Sequence, residues 1–148
     1  MKLSTRSTYG LRALIEIGLC ADRSPVSAAA IAGKQDLSVA YLEQLLHRLK
    51  KHGFVLSLRG PKGGYVLARE PEQITIGSIV QALEGPATAE SEKLRESKER
   101  AQRIAYAVFR CVHERLAQSL EQLTLQDLCD EVREAKEQSV EHRYVFHN

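Results

Sequence analysis

Apolar residues recur at helical spacing along most of the chain. Leu11, Leu14, Ile15, Gly18 and Leu19 share one face and predict a first helix over about 4–21. Asp22-Arg23-Ser24-Pro25 breaks it. Ser27 is placed to cap a short helix that carries Ile31 and Ala32 and stops near Gly33. Ser38 caps a third helix over 38–52, in which Leu42, Leu45, Leu46 and Leu49 repeat at the same period. Lys50-Lys51-His52 followed by Gly53 supplies its stop, because cations suit the negative end of a helix and glycine accepts the left-handed conformation just past it.

The period then shortens. Phe54-Val55-Leu56-Ser57-Leu58 and Tyr65-Val66-Leu67 read as two strands, and Arg59-Gly60-Pro61-Lys62-Gly63-Gly64 between them is turn chemistry throughout. The expectation is a hairpin with a glycine-rich tip. Thr75 caps a fourth helix with Ile76, Ile79, Val80 and Leu83 as its buried stripe and Gly85 as its stop. Residues 86–100 hold one large apolar residue, Leu94, and read as a mobile linker that turns helical toward its end. A long helix from about Arg100 to Leu123 carries Ile104, Val108, Val112, Leu116 and Leu120, widened by Ala105, Phe109 and Leu123. Thr124 caps a last helix with Leu125, Leu128, Cys129 and Val132 inside, and a polar tail follows from about Lys136. The fold class is therefore mainly α with a small β-hairpin. The expected division is 1–84, a linker at 85–99, and 100–148.

Length and composition narrow the function. A chain of 148 residues suits one domain or a domain with an appendage. Its 43% hydrophobic and 27% charged residues exclude a disordered tail or a fibre. No apolar run reaches the ~18 residues of a membrane helix, and the N-terminus has no secretory pattern. Three widely spaced cysteines make no disulfide framework, so a cytoplasmic location is expected. The net charge of +2 hides an asymmetry. Between Val26 and Arg69 stand seven basic residues against two acidic ones, a local excess that attracts phosphates.

Helix, short turn, helix and basic glycine-tipped hairpin, in that order, is the plan of a winged helix-turn-helix. An α-helix fits the major groove of double-stranded DNA, and its N-terminal residues reach base edges. Ser38, Val39, Ala40, Tyr41, Glu43 and Gln44 are the candidate readers. Gln44 suits adenine and Glu43 suits the amino group of cytosine. Arg48, Lys50 and Lys51 lie further along, where phosphates would be. Arg59, Gly60, Lys62 and Gly63 form a thin basic tip for the backbone or a narrow minor groove.

These same residues carry a resemblance. Leu37-Ser38-Val39-Ala40-Tyr41-Leu42-Glu43-Gln44-Leu45-Leu46 and Leu58-Arg59-Gly60-Pro61-Lys62-Gly63-Gly64-Tyr65 strongly resemble the Rrf-two family of bacterial winged-helix repressors, the IscR-, NsrR- and CymR-like regulators. The opening Met1-Lys2-Leu3-Ser4-Thr5-Arg6 with Tyr9, and Ile74-Thr75-Ile76-Gly77-Ser78-Ile79-Val80, are similar too. The resemblance implies a homodimer in which the long helix crosses its partner's copy and buries Ile104, Val108, Val112, Leu116 and Leu120. Two readers related by a two-fold axis then imply a pseudo-palindromic operator. A further alternative from CymR-like members is control by a regulatory protein partner.

Many members of that family hold an iron–sulfur cluster through three cysteines in the linker. Here Gly85–Arg103 contains neither Cys nor His, so the ligands of that site are missing and no cofactor is expected. Binding through other ligands, or a redox response at a thiol, are the alternatives. Cys20 and Cys129 read as small buried hydrophobes. Cys111, near Arg110 and Arg115, is the candidate redox thiol. His113, His142 and His147 are too scattered for a metal site. Nor is an enzyme expected. Gly60-Pro61-Lys62-Gly63-Gly64 lacks the Gly-Lys-Ser/Thr of a phosphate-binding loop, and no nucleophile elbow, zinc-protease or dinucleotide motif occurs.

Overall fold

In a computed structural model, residues 3–20, 22–85, 93 and 95–145 are described, with the side chains of the last helix described to Val140. Among the described residues, a series of α-helices and one hairpin follow one another. They are α1 (Thr5–Gly18), α2 (Ala28–Gln35), α3 (Val39–Lys51), β1 (Val55–Leu58), β2 (Gly64–Leu67), α4 (Ile76–Glu84), α5 (Arg100–Gln122) and α6 (Leu125–Val145). A short 3₁₀ turn, Pro71–Gln73, precedes α4. Of the linker expected at 85–99, residues 86–92 and Leu94 lie outside the described residues, as do Phe146, His147 and Asn148.

Hydroxyl caps start the helices. Ser4, Ser27, Ser38 and Thr75 each accept a hydrogen bond from the backbone N–H three residues on. Each satisfies one of the donors that a helix leaves orphaned at its first turn. At α6 the cap is reciprocal. The Asp127 N–H donates to Thr124 Oγ1 at 3.2 Å, while the Thr124 N–H donates to Asp127 Oδ2 at 2.9 Å.

Some boundaries differ from the sequence expectation. α1 stops at Gly18, earlier than 21. α2 runs through Gly33 to Gln35 and is ended by Asp36, which takes the left-handed conformation at φ 54°. Gly33 has no neighbour within 4 Å of a Cβ position, so it sits in open space on the helix surface and ends nothing. On α4 it is Ala82, rather than Val80, that joins Ile76, Ile79 and Leu83 in the buried set. α6 continues to Val145, well past the point where a polar tail was expected. Lys136, Glu137, Gln138 and Ser139 in its later turns are polar and exposed.

The core lies between α1, α3, α4 and the start of α6. Leu14, Leu42, Leu46, Leu49, Ile79, Leu83 and Leu125 are all fully buried in one cluster. Each such side chain removed from water contributes roughly 1.5–3 kcal/mol. α6 enters this same core through Leu125 and Cys129, the latter lying against Gly18 of α1. The hairpin strands are antiparallel, with Val55 opposite Leu67 and Leu58 opposite Gly64. Val26 adds a short third edge. Its N–H donates to Tyr65 O at 3.0 Å, and the Tyr65 N–H returns a bond to Val26 O at 2.8 Å. This bridge ties the hairpin to the start of α2.

Candidate nucleic-acid interface

α3 is amphipathic, and its two faces do different things. Leu42, Leu45, Leu46 and Leu49 point into the core. Ala40, Glu43, Gln44, His47 and Lys51 are all exposed and follow one another at three- and four-residue spacing, which aligns them in one strip. Val39 stands exposed at the head of the helix. Among the described residues, neither Glu43 nor Gln44 spends its side chain on a hydrogen bond within the chain, so both keep their recognition capacity. The Ser38 hydroxyl accepts the Tyr41 N–H at 3.2 Å and retains its own proton to donate.

Other expected residues are less free. Tyr41 is half-buried and stands edge-on to Tyr9, with ring centroids 6.2 Å apart, while Arg12 lies 5.0 Å over the Tyr9 ring. That packing holds Tyr41 to α1. Lys50 donates to Ser57 Oγ at 2.7 Å and so joins α3 to β1. Arg48, expected at a phosphate, is exposed and donates from one guanidinium nitrogen to Leu83 O at 2.9 Å, at the end of α4. His47 was missed as a candidate reader, although its place in the 40, 43, 44, 47, 51 series was available as a spacing signal.

The hairpin tip carries Arg59 and Lys62 into solvent. Its glycines are required by geometry. Gly60 holds φ at 109°, and a Cβ on Gly63 would stand 2.2 Å from Leu58 O. The turn is closed by the Gly63 N–H donating to Gly60 O at 2.9 Å. A tip free of side chains at these positions keeps the two cations on a narrow loop.

α5 exposes part of its apolar stripe. Ile104, Val108, Phe109 and Val112 are between 52% and 60% exposed. Leu116 is half-buried, and Leu120 already packs against the chain's own core. The expected stripe therefore divides, with its first half open to solvent and its end used internally.

The three thiols have different surroundings. Cys129 is fully buried, and burial raises its pKa. The Cys20 thiol donates to Asp22 Oδ1 at 3.2 Å, and that bond, with burial, raises its pKa as well. Cys111 is exposed. Among the described residues no three ligating side chains gather as a metal ion requires. An iron–sulfur cluster held by linker thiolates does not fit the residues present, because 85–103 offers no sulfur or imidazole donor.

A solvent-facing helix reached through a tight turn, flanked by a basic glycine-tipped hairpin, is the arrangement of winged helix-turn-helix DNA-binding proteins. Residues 3–131 match the Rrf2 family model, described as an iron-dependent transcriptional regulator. The chain is 38% identical over 133 residues to a putative HTH-type transcriptional regulator, slr0846, of Synechocystis, covering 86% of this chain and 87% of that protein. It is similar in structure to IscR of T. potens, with a TM-score of 0.75 and 36% identity over 91% of this chain and 90% of that one. CymR, the global cysteine regulator of B. subtilis, superposes with a TM-score of 0.72 and 36% identity over 88% and 98% of the two chains. The chain belongs to the Rrf2 family: it is a DNA-binding transcriptional regulator and not an enzyme.

Proposed function

We propose that the protein is a homodimeric, sequence-specific repressor of the cytoplasm that reads a pseudo-palindromic operator. Residues 1–84 form the DNA-binding unit, 85–99 link it, and 100–148 carry the dimer helix and the C-terminal helix. The observation that carries the reading is the strip Ala40, Glu43, Gln44, His47 and Lys51, which leaves the core side of α3 and faces solvent beside the basic hairpin. Laid in the major groove, Ser38, Ala40, Tyr41, Glu43 and Gln44 stand at base edges. Lys51 lies toward phosphate, and Arg59, Gly60, Lys62 and Gly63 rest on the backbone or in the minor groove. Arg48, committed to Leu83 O, takes a different part.

The open half of the α5 stripe supports the dimer. α5 has 23 residues and spans about 35 Å, so a second copy crossing it covers Ile104, Val108 and Val112 in both chains. Leu116 extends the contact, while Leu120 serves the fold of its own chain.

Substitution separates base reading from phosphate binding. Glu43→Ala is expected to relax sequence choice with little loss of overall affinity. Arg59→Ala is expected to weaken binding to every duplex and to lower the salt slope by about one contact. If neither substitution alters DNA binding, the interface is elsewhere and the reading fails.

A second reading concerns the signal. Cys111 is the one exposed thiol of the three and stands beside Val112 on the helix assigned to the dimer. Oxidation there would act on subunit contact. Operator affinity unchanged after diamide treatment would remove this reading.

A further inference from the structure

α4 is held at both ends by elements that the proposed function uses for different purposes. At its start, the Ile76 N–H donates to Leu123 O at 2.8 Å, and the Leu125 N–H donates to Ile74 O at 2.8 Å. Thr75 Oγ1 donates to Glu121 Oε2 at 3.0 Å, and Gly77 lies so close to the Glu121 carboxylate that a Cβ there would stand 2.3 Å from Oε1. The first turn of α4 is thus fixed to the end of α5. At the other end, Leu83 O accepts from Arg48 at 2.9 Å and from Arg6 at 3.2 Å. Two guanidinium groups on a carbonyl of the last turn match both its unsatisfied lone pairs and the negative end of the helix. The side chain of Leu83 is itself fully buried, so this end of α4 does not move freely. Glu84 then accepts from Ser4, which caps α1, and from Ser7 within it.

We propose that Arg48 is a positioning residue that seats α3 on the C-terminal carbonyl of α4, so that α4 fixes the reading helix relative to the dimer helix. The proposal rests on the homodimeric operator reading above. A dimer reads two half-sites only if its two α3 helices stand about 34 Å apart or a multiple of that distance. That separation is set by the path from α5 through α4 to α3. On the α3 side Arg48 adds a directed bond to the apolar packing of α3 and α4 in the shared core, and Glu121 and the Leu123 carbonyl close the path on the α5 side. One guanidinium nitrogen of Arg48 is spent on Leu83 O, and a positioning role and a phosphate contact make different predictions. The two roles differ in what salt does to them. A phosphate contact releases counterions on binding, whereas a bond inside the protein does not.

The test uses the full chain and two duplexes, one carrying both half-sites selected by the wild type and one of unrelated sequence, each over a range of salt concentrations. Arg48→Met is expected to weaken binding to the two-half-site duplex by about tenfold. Its binding to the unrelated duplex should stay within about twofold, and its salt slope should remain that of the wild type. Arg6→Met and Arg48→Met share one acceptor, so their combined effect should differ from the product of the single effects. Should Arg48→Met fail to fold, Arg48→Gln also removes the charge and reads the same slope. Equal loss on both duplexes with a slope lower by about one contact would overturn the proposal in favour of a phosphate contact. Unchanged binding on both would also overturn it. A wild type that selects no paired half-sites would instead refute the operator reading, and the positioning role with it.

Discussion

Gly64 stands so close to Val26 that a Cβ on it would lie 2.6 Å from both the carbonyl carbon and the oxygen of that residue. The glycine also holds φ at 152°, a value that residues with a side chain rarely adopt. Gly64→Ala must therefore break the Val26–Tyr65 bridge or move the hairpin. The expected cost is about 1–3 kcal/mol, read as a lower urea midpoint, together with weaker DNA binding through a displaced tip. Gly33→Ala should have the opposite sign. It lies inside α2 with nothing near its Cβ position, and alanine there should stabilise the fold by about 0.5–1 kcal/mol.

Glu84 gives the fold a defined acid sensitivity. Hydrogen bonds from Ser4 and Ser7 hold its carboxyl below the usual value of 4.5. A carboxyl lowered on folding stabilises the native state above its unfolded pKa, and that contribution is lost as pH falls through the lowered value. Wild type should thus lose stability on acidification below about pH 4.5 more steeply than Glu84→Gln, which binds no proton there. Thermal melts of both proteins at pH 7, 5 and 3 check this. Parallel losses would mean that the bonds to Ser4 and Ser7 do not set the acid response.

The open face of α5 makes a prediction about assembly. Val108 is 60% exposed in the single chain, so Val108→Glu costs the isolated fold little. In a crossed pair it would bury an unpaired charge. Sedimentation equilibrium should show a dimer for wild type and a monomer for the variant, with operator affinity falling in parallel. A variant that remains fully dimeric would place the subunit contact on another surface.

The thiols should react in a fixed order. Cys111 is exposed, Cys20 is held by Asp22, and Cys129 is buried. A disulfide reagent at neutral pH should modify Cys111 first and leave Cys129 until the chain unfolds. Cys111→Ser should remove the fastest phase. If the fast phase survives in that variant, another thiol is the accessible one in solution.

Much of this architecture was legible because it rests on local chemistry. Ser27, Ser38 and Thr75 cap helices by a bond three residues along, and the apolar period of α3 follows from the four leucines that face the core. The long-range pairings were not legible. The Val26–Tyr65 bridge joins residues far apart in sequence and leaves no period to read. The bond from Arg48 to Leu83 O was not legible either, because a basic residue in a last turn has no local signature of an acceptor 35 positions away. Leu120 continues the α5 stripe but packs against its own core, near where Glu121 meets the start of α4, a contact with no local signature. His47 was within reach, since its spacing from Gln44 and Lys51 already placed it on the exposed strip.

The central claim is that two copies of α3 read a two-fold-symmetric sequence. Selection of duplexes from a random pool by the purified protein at about 150 mM salt tests it most directly. The account predicts enrichment of a pseudo-palindrome of about 25 base pairs, with half-sites separated by whole helical turns. Retention of DNA with no enriched sequence, or enrichment of a single unpaired half-site, would contradict it.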